Sequence, residues 1–161
     1  VAMNQKVFDH FKDRTFFGGM TYTGHPVSLA AAIANIEVIE KENLVQNSAE
    51  RGETLKKLLL DLRQRHLCVG DVRSIGLFAA VELVKNGLTR EPLSEPGAPL
   101  SPIMKKVKSA LLESGLFMYN TFHMLLIIPP LIITDEQLRE GIALIDKALD
   151  IADEAIRAGN I

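Results

Sequence analysis

The sequence predicts an α+β fold in which helices cover one face of a mostly antiparallel sheet. Two observations carry this. Apolar residues recur at helical spacing in several long segments, and two pairs of short apolar runs, each pair joined by a turn signal, lie between them. The resulting order is helix, helix, two strands, helix, two strands, helix. Length and composition agree with this. A chain of 161 residues holds one domain, or one domain and a piece of another, and 47% hydrophobic with 24% charged residues is ordinary for a globular protein.

The opening "VAMNQKVFDHF" places Val7, Phe8 and Phe11 at helical spacing and reads as the end of an element begun elsewhere. Val27 to Glu40 is alanine-rich and apolar on nearly all sides, which predicts a helix buried all round against more protein than this chain contains. A second helix runs from about Val45 to His66, with Leu55, Leu58, Leu59 and Leu62 as its stripe. Its charges pass from Glu50 and Glu53 to Arg63 and Arg65, the order that suits the helix dipole.

"VGDVRSIGLFAAVELV" reads as strand, turn, strand, with Leu77 to Val84 buried. Residues 85–100 carry three prolines and two glycines and are expected to form a surface loop. Ser101 supplies an N-cap and Pro102 a first-turn proline for a helix to about Glu113, where Ile103, Val107 and Leu111 face the core and Gly115 ends it. "LFMYNTFHMLLIIPP" predicts a short strand, a turn and a second strand stopped by Pro129 and Pro130. Thr134 with Gln137 forms a capping box for the last helix, whose stripe is Leu138, Ile142, Ile145, Leu149 and Ala152.

Several function classes lose support. A formal net charge of −2 with no basic cluster gives no electrostatic footprint for nucleic acid. The longest apolar run, "MLLIIPPLII", is too short to span a bilayer and is broken by two prolines. Asp9, Lys12, Asp13 and Arg14 come too early for a signal peptide, and the lone Cys68 suits a reducing compartment, so the cytoplasm is the expected location. His10, His25, His66 and His123 are scattered without metal-ligand spacing and read as surface or turn residues. Cys68 reads as a structural thiol, and no hydrolase or nucleotide-phosphate motif is present. Glu82, inside an apolar strand, is either a tuned carboxylate or, the preferred reading, a residue of an exposed strand face.

The stretch that offers a ligand site is "FFGGMTYTGHPVSLAAAIA". Gly18, Gly19 and Gly24 permit backbone shapes and close approaches that a Cβ would forbid. A glycine-bearing loop with hydroxyls that runs into a helix N-terminus can hold an anion. Two readings stand on the residues alone: a tight turn that starts a helix, and an anion cradle.

Together these segments resemble the C-terminal portion of the class III pyridoxal-phosphate-dependent aminotransferases. The carriers are "GGMTYTGHPVSLAAAIANIEVIE", "VGDVRSIGLFAAVELV", "LLESGLF" and "LLIIPPLIITDEQLREGIALIDKALDIAD". Among subgroups the chain looks most like the omega-amino acid (taurine or β-alanine type) pyruvate transaminases. The resemblance implies the small C-terminal domain of a fold-type I pyridoxal-phosphate transferase over residues 36–161. Residues 1–35 would be the tail of the large domain, with its long connecting helix. It also implies that Thr21 donates a hydrogen bond to the phosphate of pyridoxal 5'-phosphate across a homodimer interface, helped by backbone N–H groups around Gly19 and Met20. Tyr22 would line that interface, while Gly24, His25 and Pro26 shape the turn.

In that family the lysine that binds the cofactor and the aspartate facing the pyridine nitrogen lie upstream of the matched region. Lys6 and Lys12 do not stand in that lysine's context. The resemblance therefore implies a fragment that is inactive alone, with no catalytic residue of its own and no metal. Its parent would move an amino group from an amine or amino acid to a keto acid such as pyruvate. Relatives also carry a carboxylate-binding arginine three or ten residues before the Pro-Pro pair, where this chain has Leu126 and Tyr119. Arg73 could replace it, although a structural role beside the strand turn suits it better. Two other readings stay open: a non-catalytic α+β interaction or regulatory module, and a pyridoxal-phosphate aminomutase or decarboxylase of the same fold.

Overall fold

The computed structural model describes residues 3–19 and 21–161. The chain divides into two compact units, Val1–Glu42 and Asn43–Ile161.

The first unit holds two helices. Helix α1 (Gln5–Phe11) is capped by Asn4, whose side chain accepts from the Val7 N–H at 3.0 Å. Helix α2 (Pro26–Lys41) starts with proline in its first turn, where a missing N–H leaves no intrahelical bond unmade. The apolar character expected of this helix has no counterpart in burial. None of its residues is buried, and Val27, Leu29, Ile33 and Ile36 are all more than half exposed.

In the second unit, α3 (Leu44–Arg65) leads into β1 (Val69–Ile75) and β2 (Phe78–Asn86). After the two-residue β3 (Glu91–Pro92) come α4 (Pro102–Glu113), β4 (Tyr119–Thr121), β5 (Met124–Ile127) and α5 (Asp135–Arg157). The strands pair antiparallel in the order β1-β2-β5-β4, and β3 adds to β2. The α+β class with an antiparallel sheet is thus the fold of this unit. Ala79, Val81 and Leu83 of β2 and Leu125 and Ile127 of β5 point to one face of the sheet. There they join the buried Leu55, Leu59 and Leu62 of α3, Ile103, Val107 and Leu111 of α4, and the full expected stripe of α5 in one core. Leu58 packs on that core partly buried. The intervening Phe78, Ala80 and Glu82 face away from it and are exposed or half-buried.

The helix starts are where the sequence placed them. The Ser101 hydroxyl accepts from the Met104 N–H at 3.3 Å, and Thr134 and Gln137 form the reciprocal box. Residues 85–100 differ from the expected surface loop. Strand β2 runs on to Asn86, Glu91 and Pro92 pair with it, and the Leu93 N–H donates to the Leu83 carbonyl at 2.9 Å. Leu93 and Ser94 are buried. Prolines and glycines mark where the backbone turns, but a single leucine among them is drawn into the core by contacts that local composition does not report.

Helix α3 approaches the sheet through two glycines. A Cβ on Gly52 would stand 2.5 Å from the Gly76 Cα, and Gly76 itself takes φ +52° in the two-residue β1–β2 turn. The backbones therefore meet with no side chain between them. Gly52→Ala should destabilise the fold by about 1–3 kcal/mol, because the obstacle is backbone and cannot rotate away. Urea unfolding checks this, and an unchanged midpoint would show that α3 can shift to absorb the methyl group.

Candidate functional site

The Thr21–Gly24 turn leads directly into α2. Tyr22 adopts φ +65° and Gly24 φ +74°, and the His25 N–H closes the turn by donating to the Tyr22 carbonyl at 3.1 Å. The Tyr22 and His25 rings meet edge to face at 5.2 Å. Thr21 is exposed. His25 occupies the N-cap position of α2 without making a side-chain cap bond, and its Nδ1 is buried with no partner among the described residues. The helix therefore starts without a side-chain cap, beside the exposed Thr21 and a His25 ring nitrogen that has no partner among the described residues, a chemistry that can receive an oxyanion. Of the glycines singled out, Gly24 uses its conformational freedom. Gly18 leaves room for the Phe16 ring, and a Cβ on Gly19 would meet nothing within 4 Å. Met20 lies outside the described residues, so the expected assistance from its N–H has no structural account.

In the second unit the sheet register places Arg73, Ala80, Leu126 and Tyr119 in one row across β1, β2, β5 and β4. Leu126 and Tyr119, where the family resemblance leads to an arginine and this chain has none, stand directly opposite each other on β5 and β4. Both line an open cleft of about 420 Å³ that β4, β5 and the start of α5 border with Pro129, Leu138, Gly141 and Ile142. No lining residue carries a charge. Arg73, at the far end of the row, is held by Glu82 at 2.5 Å and Asp71 at 3.2 Å. These bonds, led by the one to Glu82, raise its already high pKa. Arg90 also reaches Glu82, at 3.5 Å. Glu82 is thus not a bare residue of an exposed face; it is the half-buried anion of an arginine cluster, and Arg73 has the structural role expected of it.

One cluster went unseen in the sequence. His66 is buried rather than a surface residue: its Nδ1 faces Asp153 Oδ2 at 3.1 Å and its Nε2 faces Asp146 Oδ1 at 2.7 Å. The Cys68 N–H donates to Asp153 Oδ1 at 2.8 Å, and the thiol donates to the Leu149 carbonyl at 3.7 Å. The donor atoms of His66, Cys68 and Asp153 lie within 4.8 Å of one another. Each is already engaged inside the protein, so the cluster ties the C-terminal end of α3 and the start of β1 to α5. The signal available was faint: His-x-Cys at 66–68, with its aspartate 85 residues away from the cysteine. Burial first, then Asp153, pushes the Cys68 thiol far above its ordinary pKa, consistent with a structural thiol.

The comparisons with known proteins agree with this fold. The family model "Aminotransferase class-III" matches residues 1–149. The chain is 37% identical over 146 residues to a taurine–pyruvate aminotransferase of Bilophila wadsworthia, covering 90% of this chain and 31% of that protein. It is 35% identical over 144 residues to a putrescine–pyruvate aminotransferase of Pseudomonas aeruginosa, covering 89% of this chain and 30% of the relative. A solved taurine:2-oxoglutarate aminotransferase from Bifidobacterium kashiwanohense, in complex with PLP and glutamate, superposes with a TM-score of 0.86 at 34% identity. That match covers 94% of this chain and 34% of the solved one. The chain belongs to the class III aminotransferase family, and it spans about three-tenths of the length of the curated relatives it matches. Among the described residues, no helix is long and apolar enough to cross a membrane.

Two outcomes are expected of the buried cluster. Cys68 should resist a water-soluble disulfide reagent in the folded chain and react once denaturant opens the core; fast native labelling would contradict its burial. The hydrogen bond from Arg65, ahead of that from His66, holds the Asp146 carboxyl below its ordinary pKa. A depressed folded pKa contributes stability above the unfolded value of about 3.9, lost as pH falls through the folded value. Asp146→Asn should therefore lower stability at pH 7 and weaken its decline below about pH 4, read from urea midpoints across pH.

Proposed function

We propose that this chain is the C-terminal part of a pyridoxal-phosphate-dependent aminotransferase whose parent moves an amino group from an amine or amino acid, including omega-amino acids, to a keto acid such as pyruvate. The observation that carries the reading is the class III match over residues 1–149 to proteins about three times as long. The unburied apolar surface of α2 suits a helix that continues into more protein. Residues 1–35 are then the tail of the large domain and 36–161 the small domain. The working form is a cytoplasmic homodimer, and the chain by itself is inactive.

The residues present fit the cofactor's phosphate: an exposed Thr21, the start of α2 without a side-chain cap, and a His25 Nδ1 without a partner among the described residues, all in one turn. When bound, pyridoxal phosphate supplies the carbonyl that takes up the amino group and the ring that accepts electron density. Thr21 would donate a hydrogen bond from its hydroxyl to a phosphate oxygen in the partner subunit's site, and the first-turn N–H groups of α2 would favour the anion's charge. Tyr22, in the left-handed region at φ +65°, and Gly24, which adopts φ +74° freely, shape the turn that would present that hydroxyl at the head of the helix. Small-domain residues shape and dry the approach for the substrate.

Two measurements test this. The native polypeptide, treated with pyridoxal phosphate and borohydride, should have a mass well above that of 161 residues and carry one reduced cofactor on a lysine upstream of Val1. A mass matching this chain alone, without adduct, would favour a non-catalytic module. In the parent enzyme Thr21→Ala should weaken cofactor retention about tenfold, the worth of one hydrogen bond to a charged group, and Thr21→Ser should restore it. Equal retention by all three proteins would remove Thr21 from the phosphate site.

A further inference from the structure

We propose that His66 is held as a doubly protonated cation between Asp146 and Asp153, and that this cation is a proton-dependent clasp, fastening α5 to the end of α3 and released as pH rises. The clasp lies wholly within the second unit, so it does not rest on the aminotransferase reading.

The protons around the ring can be counted. Nε2 stands 2.7 Å from Asp146 Oδ1, and Nδ1 stands 3.1 Å from Asp153 Oδ2. Each contact needs one proton, and an ionised carboxylate can only accept. Neutral imidazole has a single N–H and would turn a bare lone pair toward one of the two carboxylates; the doubly protonated ring donates to both. Both carboxylates are placed as acceptors. Arg65 donates to the two oxygens of Asp146 at 2.8 and 2.9 Å, and that interaction, ahead of the bond from His66, holds the carboxyl below its ordinary range. Asp153 Oδ1 accepts the Cys68 N–H, and Arg157 stands 3.7 Å from Oδ2. A proton shared between ring and carboxylate stays on the ring, because imidazole is the stronger base.

Burial makes the charge necessary. The His66 and Asp153 side chains are 3% and 2% exposed, and a buried anion needs a counterion beside it. Arg65 and Arg157, 46% and 60% exposed, stand at the rim. The groups that face the ring or act through its partners are Asp146, Asp153 and Arg157 of α5, Arg65 of α3 with its own partner Asp61, and the thiol of Cys68. Burial first, then Asp153 and more distantly Asp150, keep that thiol protonated and uncharged. Asp146 is the more open partner of the ring, at 31% exposed, so solvent base removes the Nε2 proton. The ring then presents a lone pair to Asp146, and Arg65 alone holds that carboxylate to α3. An unfolded histidine gives up its second proton above about pH 6.5. Where the folded chain binds one proton more than the unfolded chain, its folding constant falls by up to about tenfold per pH unit. The stabilisation is therefore complete below that pH and is lost as pH rises above it.

Two measurements on the 161-residue chain test the clasp. Long-range proton–nitrogen NMR at pH 7, assigned with His66→Gln, should show a proton on each His66 ring nitrogen. Urea unfolding between pH 6.5 and 8 should show the folding constant falling by about fivefold or more. In Asp146→Asn the side-chain amide can turn an N–H toward an unprotonated Nε2, so the second proton is no longer required. That decline should then flatten to less than about twofold, a loss of pH dependence that a merely weakened fold would not give. A ring with one bare nitrogen at pH 7 would overturn the proposal, whether its proton had passed to Asp153 or to solvent. So would a decline in Asp146→Asn as steep as that of the unaltered chain. Should either variant fail to fold, the nitrogen spectrum of the unaltered chain decides alone, since His66 is the buried histidine whose signals resist exchange with solvent.

Discussion

The pairing of β2 with β5, which sets Val81 opposite Leu125 and Ala80 opposite Leu126, is the constraint on which the rest of the second unit depends. Side chains alternate along a strand, so a slip of one residue would turn Val81 and Leu125 out of the core and carry their neighbours in. With the register as it stands, one face of the sheet is apolar enough to recruit three helices. The other face is left with Arg73, Glu82 and Tyr119. The same register makes Leu126 and Tyr119 neighbours, and so determines what lines the cleft at the edge of the sheet.

Two further devices hold the helices to that sheet, and they work by different physics. In the first half of α3 the contact is steric: Gly52 and Gly76 let backbone meet backbone, and the turn between β1 and β2 is held beneath the helix. At the C-terminal end it is polar. His66 spans Asp146 and Asp153 of α5, while Asp153 also accepts the Cys68 N–H at the start of β1. A carboxylate buried as fully as Asp153 is stable only because each of its oxygens has a donor. Apolar packing alone would allow α5 to slide along α3; these directional bonds select one position.

The first unit has a different character. Its helices carry apolar residues that are not buried, and its turn concentrates positive φ angles, a helix start without a side-chain cap and a ring nitrogen without a partner among the described residues, all within five residues. Strained or unsatisfied groups of this kind are unfavourable for a free loop and become favourable when an anion joins them.

Much of the fold was legible because its signals are local. The stripes of α3 and α5, the Ser101 cap, the Thr134–Gln137 box and the Pro129–Pro130 stop each act within a few residues, so the sequence by itself determined where helices and strands begin, end and turn. The "TYTGHP" motif and its companions also carried the family. What only the tertiary structure decided were the meetings of residues far apart in the chain. Composition could not show Leu93 buried among prolines, His66 enclosed by two aspartates of α5, Glu82 holding Arg73 and Arg90, or Tyr119 and Leu126 bordering one cleft. Each depends on strand register and on how deeply a helix settles on the sheet. Those are set by the summed packing of the whole core, which no short stretch of sequence contains.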